Sequence, residues 1–273
     1  MDLGLTEDQE AIRDVFADFF TSETGPERAR AAEPVGFDAP AWERLMETGA
    51  PGMGVDADLG GGGASLADLA VVAEEAGARI APLPLVDHQV TARLLANMGG
   101  CDDDVLSGAA IAGLAVRPVE DGTARTVPTG AVAGRLVALD GDRLIAVDGP
   151  PGDPLANHGC LPLAHREVGA ATVLAEGPEA VAAYDRALDE WRTLTASTLV
   201  GITRTSLDLG VAYVKEREQF GRPVGSFQAV QHLLADLPGL LDGARLLTAK
   251  AAWAGDRASA GESGVLDVDA NDV

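Results

Sequence analysis

Apolar residues recur at helical spacing through the first hundred positions. Thr6 and Gln9 form a capping box, and Ile12, Val15, Phe16, Phe19 and Phe20 follow on one face. Asp38 is placed to cap a second helix carrying Trp42, Leu45 and Met46, stopped at Gly49. A run of four glycines, Gly60–Gly63, leads to Ser65 as the cap of a third helix with Leu66, Leu69, Val72 and Ala73 inward, ending near Gly77. A fourth helix is predicted over Val86–Met98. After Gly99 the pattern shortens. The runs Ala109–Val116, Ala131–Leu139, Leu144–Val147 and Ala170–Leu174 are broken by Gly, Pro and Asp and read as strands, with Asp140-Gly141-Asp142 as a hairpin turn. Helical spacing resumes at Pro178 in one long helix to about Gln219. A turn follows at Gly221–Gly225, then a helix capped by Ser226 and kinked at Pro238-Gly239.

The predicted architecture is therefore α+β and multi-domain. An N-terminal helical domain covers residues 1–104, a small middle β domain 105–177 and a C-terminal helical domain 178–257. An acidic tail covers 258–273.

Composition narrows the function classes. At 273 residues and 47% hydrophobic, the chain buries a sizeable core. Its 43 acidic residues against 20 basic ones give a net charge of −23, which disfavours a bare nucleic-acid or anionic-membrane binder. Cys101 and Cys160 are too few for a disulfide scaffold and lack metal-ligand spacing. No apolar run is long enough to span a bilayer, and no leader pattern opens the sequence, so a cytoplasmic location is expected. No phosphate-binding loop, nucleophile elbow or zinc motif occurs. His88, His158, His165 and His232 have no Ser or Cys at motif spacing, and the acidic tail residues Asp267, Asp269 and Asp272 read as a solvated terminus, so no metal site is expected.

One segment carries more. Tyr213–Leu237, YVKEREQFGRPVGSFQAVQHLLADL, resembles the signature of the acyl-CoA dehydrogenase family. Gly60–Leu85 and the opening LTEDQEAIRDVFADFF resemble the family's helix before the β domain and its first helix. The order helices, β domain, helices also matches. The resemblance implies an FAD flavoprotein that oxidises the Cα–Cβ bond of an acyl-CoA thioester, with electron-transfer flavoprotein as a possible acceptor.

Site residues follow from that resemblance position by position. Arg217, Phe220 and Gln228 fall where the family contacts the FAD held by its dimer mate. A guanidinium suits a pyrophosphate, and an amide can donate and accept at the adenine end. Read without the resemblance, Arg217 is a solvated helix-end cation, Phe220 a packing residue and Gln228 a surface amide. Arg192 matches an arginine near the thioester; the other reading pairs it with Asp189 or Glu190 along the helix.

The catalytic base is less well marked. Most members carry a glutamate in C-terminal helices beyond the segment where this chain ends, and Glu262 sits in a stretch that does not resemble them. Others place it one residue before the arginine matched by Arg192, where this chain has Trp191. Glu190 lies one step away, about 100° around a helix, and is the candidate base; Asp189 is weaker. In the β domain, Ala115–Gly122 and Val127–Gly130 lack the hydroxyl and aromatic residues with which the family holds the flavin ring.

Three functional readings stay open. The first is a non-catalytic-type subunit of a heteromeric enzyme, paired with a homologous subunit in a heterotetramer as in actinobacterial steroid side-chain degradation. The second is a self-sufficient homo-oligomer with an unusual base. The third is a flavin-free scaffold on the same fold.

Overall fold

A computed structural model describes residues 3–259. The capping box forms: Gln9 N–H donates to Thr6 Oγ1 at 3.2 Å and Thr6 N–H to Gln9 Oε1 at 3.1 Å, opening α1 (Glu7–Glu23). A short α2 (Pro26–Ala31), not marked by apolar spacing, precedes α3 (Ala39–Glu47), which Asp38 caps through the Ala41 N–H. Helices α4 (Leu66–Ala78), α5 (Leu85–Asn97) and α6 (Asp103–Ser107) complete the N-terminal helical part. The start of α4, which Ser65 precedes, is also held from far along the chain. The Asp256 carboxylate takes the Leu66 and Ala67 N–H groups at 2.6 and 3.1 Å, from 190 positions downstream.

The β part holds a four-stranded sheet in the order β1-β3-β4-β6, built from β1 (Ala112–Leu114), β3 (Arg135–Asp140), β4 (Arg143–Asp148) and β6 (Thr172–Glu176). The β3–β4 hairpin pairs Asp140 with Arg143 around a two-residue turn, where Gly141 has φ 63°. Two strands were not visible as apolar runs: β2 (Thr123–Val127) and β5 (Ala164–Glu167), which pair antiparallel as a second sheet. Ala124 and Val127 of β2 meet Leu136, Ala138, Ile145 and Val147 of the first sheet in one buried cluster. Val137 and Leu139 on the other face of β3 are buried too. A strand buried on both faces reads as a continuous apolar run, which is why β3 was legible.

The C-terminal part begins with α7 (Gly177–Glu216), 40 residues long. A hairpin follows, β7 (Glu218–Gln219) with β8 (Arg222–Pro223), then α8 (Gln228–Ala235) and α9 (Leu237–Ser259). Two expectations change here. Ser226 does not cap α8, because its hydroxyl donates to the Pro223 carbonyl and Phe227 takes the N-cap position without a side-chain bond. Pro238 does not kink one helix either. It lies in the first turn of α9, where a missing N–H costs nothing.

The chain divides into two compact units. One comprises residues 1–21, 66–80 and 193–273; the other comprises 22–65 and 81–192. In the first, α4 and α7 approach so closely that a Cβ on Gly77 would strike the Thr198 carbonyl, and one on Gly201 the Glu74 carbonyl. Among the described residues no helix is long and apolar enough to cross a membrane.

Candidate functional site

The Tyr213–Leu237 segment folds into an exposed end of the first unit. Gln219 pairs with Arg222, so Phe220 and Gly221 form the two-residue turn, with φ of 55° and 77°. Two successive left-handed residues are the requirement of a tight hairpin turn, and glycine meets it at no steric cost. A phenylalanine does not, and Phe220 is 93% exposed. Local packing does not account for a large apolar side chain held in a strained conformation and offered to solvent.

The other two positions flank that turn on the same segment. Val224 N–H donates to the Arg217 carbonyl at 2.7 Å, fixing the start of the hairpin to its end. Phe227, immediately before Gln228, packs edge-on to Phe220 with centroids 6.1 Å apart, and the Arg222 guanidinium lies 4.1 Å from the Phe227 centroid. Arg217, Phe220 and Gln228 are all exposed. One exposed end therefore offers a cation, an aromatic face and an amide.

In the second unit, α5 and the first half of α7 are tied by two contacts. Arg93 holds both carboxylate oxygens of Glu190, Nε to Oε2 at 2.8 Å and Nη2 to Oε1 at 3.1 Å, while its Nη1 donates to the Gly54 carbonyl. Trp191 Nε1 donates to Asp87 Oδ1 at 2.8 Å. Burial pushes the Asp87 carboxyl up to about 6, opposed by the indole hydrogen bond. Next to it, His88 is fully buried and held down at about 4 by desolvation. Its Nδ1 accepts from Ala112 N–H, so its Nε2 donates to the Val105 carbonyl, both at 3.0 Å.

These contacts settle where the remaining sequence candidates lie. Glu190 is held by a guanidinium on both oxygens, which commits its carboxylate to the tie between α7 and α5. Arg192 pairs with Asp189 at 2.7 Å on an exposed helix face. Glu262, Asp267, Asp269 and Asp272 lie outside the described residues. Asp87 and Arg93 were not singled out in the sequence. The signal was there, since they are the two formal charges in the α5 segment LVDHQVTARLLAN.

The two stretches expected beside the flavin ring offer little that reaches outward. Thr129, the one hydroxyl in Val127–Gly130, is fully buried, and its Oγ1 has no hydrogen-bond partner among the described residues. That oxygen fills the space a Cβ on Gly113 would need. In the loop after β1, the exposed positions are Arg117, Pro118, Glu120, Asp121 and Gly122, with neither hydroxyl nor ring.

The N-terminal domain pattern of the acyl-CoA dehydrogenases matches residues 6–101, and the C-terminal domain pattern matches 181–265. This chain belongs to the acyl-CoA dehydrogenase family. It is an oxidoreductase of that type, and the family's cofactor is FAD. It is 33% identical over 240 residues to the acyl-CoA dehydrogenase IpdE2 of Mycolicibacterium smegmatis, covering 85% of this chain and 73% of that one. To IpdE2 of Mycobacterium tuberculosis it is 30% identical, covering 91% and 76%. Among solved structures it resembles a variant of the Tcur3481–Tcur3483 steroid acyl-CoA dehydrogenase, with a TM-score of 0.80 at 28% identity over 96% of this chain and 80% of that one. For this acyl-CoA dehydrogenase the hairpin end offers groups of the kind FAD takes: a cation for a pyrophosphate, an amide and an aromatic surface. The stretches Ala115–Gly122 and Val127–Gly130 do not show a matching set among the described residues.

Proposed function

We propose that this chain is one subunit of a heteromeric acyl-CoA dehydrogenase, acting on a bulky acyl-CoA. It lends Arg217, Phe220 and Gln228 to FAD held by a homologous subunit, and that subunit supplies the catalytic base. The observation that carries this reading is Phe220, 93% exposed at φ 55° on a hairpin tip. A residue so placed gains stability only when another surface covers it.

Each residue then has a defined task. Arg217 supplies a charge that stays on at every physiological pH, matched to a diphosphate. Phe220 excludes water beside it, which strengthens the charge–charge contact. Gln228, the first residue of α8, orients an amide on a rigid element. Arg192 keeps an exposed guanidinium on α7 for the thioester end of the substrate. Bound FAD supplies the acceptor for the hydride leaving the β-carbon. The proton from the α-carbon passes to a carboxylate. Glu190, held by Arg93, is not that carboxylate in this reading. The pairing in the Tcur3481–Tcur3483 enzyme, named as a steroid acyl-CoA dehydrogenase, supports both the heteromer and the bulky substrate. The test is FAD retention by the chain alone and with a homologous subunit, before and after Arg217→Ala.

A second reading rests on Asp87. Its carboxyl at about 6 is suited to taking a proton near neutral pH, and it touches Trp191, the position where some members carry the glutamate. In that reading the chain is a self-sufficient dehydrogenase with Asp87 as base. Asp87→Asn separates the two, since it abolishes turnover only if Asp87 is the base.

A further inference from the structure

The first unit holds a cavity of about 610 Å³ between the segment leading into α1, α4, the second half of α7 and α9. Its floor is apolar: Ala70 and Val71 from α4, Val200 from α7, Ala249 and Trp253 from α9. This volume lies in the range of small-molecule sites. None of the residues placed at the FAD or thioester ends lines it, so it is separate from the flavin-side reading.

The charged wall of the cavity decides what fits. Its ionisable lining residues are Arg13, Arg204 and Arg245 against Glu74 and Glu75. That is a local excess of positive charge in a chain with 43 acidic and 20 basic residues. The acids are already engaged. Glu75 receives Arg204 Nη2 on both oxygens at 2.9 and 2.8 Å, and Glu74 Oε1 receives Arg204 Nη1 and Arg245 Nη2, each at 2.9 Å. Two of the arginines keep donors in reserve. Arg13 spends Nε and Nη2 on its neighbour Asp14, which is 71% exposed. A pair of that kind contributes little and is readily exchanged. Arg245 spends Nε and Nη2 on Glu74, and its Nη1 is 3.8 Å from Asp242 Oδ1, beyond hydrogen-bond reach.

We infer that this cavity binds an amphipathic carboxylate. Its apolar body lies against Val71, Val200, Ala249 and Trp253, and its head is held by the Nη1 groups of Arg13 and Arg245. An apolar floor alone takes any oily molecule. The guanidinium edges select the anion, because a carboxylate there accepts charge-assisted bonds, whereas an ammonium head has no lone pair with which to accept them.

The test uses the full chain, titrated with dodecanoate, dodecanol and dodecylammonium below their aggregation limits. Trp253 fluorescence and calorimetry are the readouts, with Trp253→Phe identifying the signal. The expected result is saturable binding of dodecanoate, at least about tenfold tighter than either other probe. Arg13→Gln, at an exposed side chain, should weaken dodecanoate by about tenfold and leave dodecanol unchanged. Ala249→Phe, which fills the floor, should remove binding of all three. Equal affinity for dodecanoate and dodecanol would overturn the inference, as would dodecanoate binding unaffected by Ala249→Phe. Self-association that shields Trp253 without any ligand would overturn it too, in favour of a protein-covered face.

Discussion

The Trp191 indole donates to the Asp87 carboxylate at 2.8 Å, so the helix position where the family resemblance alone would look for a glutamate is a tie between α7 and α5. One residue earlier, Glu190 is tied to Arg93 on the same pair of helices. Neighbouring side chains on α7 thus serve one seam.

Asp87 and His88 titrate in inverted order, about 6 for the acid and about 4 for the imidazole. The Asp87 value is raised in the fold, so its contribution is fully present below its unfolded value of 3.8 and is lost as pH rises through about 6. The His88 value is lowered, so its contribution is present above 6.5 and is lost as pH falls through about 4. The two slopes oppose each other between pH 4 and 6.5. Asp87→Asn removes one of them. It should raise stability at pH 7.5 by about 1–2 kcal/mol and make the protein lose more stability than wild type on going to pH 4.5. Urea midpoints of both proteins at the two pH values check this. A parallel pair of profiles would contradict it.

Glu190→Gln should act on stability and not on chemistry. It leaves Arg93, whose side chain is 14% exposed, without its charged partner, at a cost of about 2 kcal/mol. FAD content and turnover of the assembled enzyme should stay within about twofold of wild type, whereas loss of a true base would cost far more. Single-turnover kinetics beside thermal melts separate the two effects.

Gly201→Ala should be among the most damaging single-methyl additions in the chain. Its Cβ would run into the Glu74 carbonyl on α4, and backbone cannot step aside as a side-chain tip can. The expected loss is about 2–3 kcal/mol. Gly210→Ala, with nothing within 4 Å of the added methyl in the same helix, should instead be neutral or stabilising by a few tenths of a kcal/mol. Denaturant midpoints for the pair check the contrast.

Elements with a strong local period were legible in the sequence. The Thr6–Gln9 box, the Asp38 cap and the β3–β4 hairpin form as the residues suggest, because each is decided within a few positions. The elements that escaped are decided at a distance. β2 carries TARTV, with only Ala124 and Val127 buried, and it becomes a strand only where β5 pairs with it. The Asp256 contact at the start of α4 comes from 190 positions away, which no window around Ser65 contains. At the candidate site, the arginine, aromatic and amide were named through the segment's resemblance to the family. The exposure of Phe220 could not be named that way, nor could the engagement of Glu190 by Arg93, since each depends on what the fold brings or fails to bring alongside.

The shared-flavin account is tested most directly by the visible absorption spectrum of the gel-filtered chain, first alone and then co-expressed with a homologous acyl-CoA dehydrogenase subunit that carries its own glutamate. The account predicts a colourless lone chain, a yellow complex, and a complex that fails to hold flavin when this chain carries Arg217→Ala. A flavin band in the lone chain, unchanged by Arg217→Ala, would contradict it.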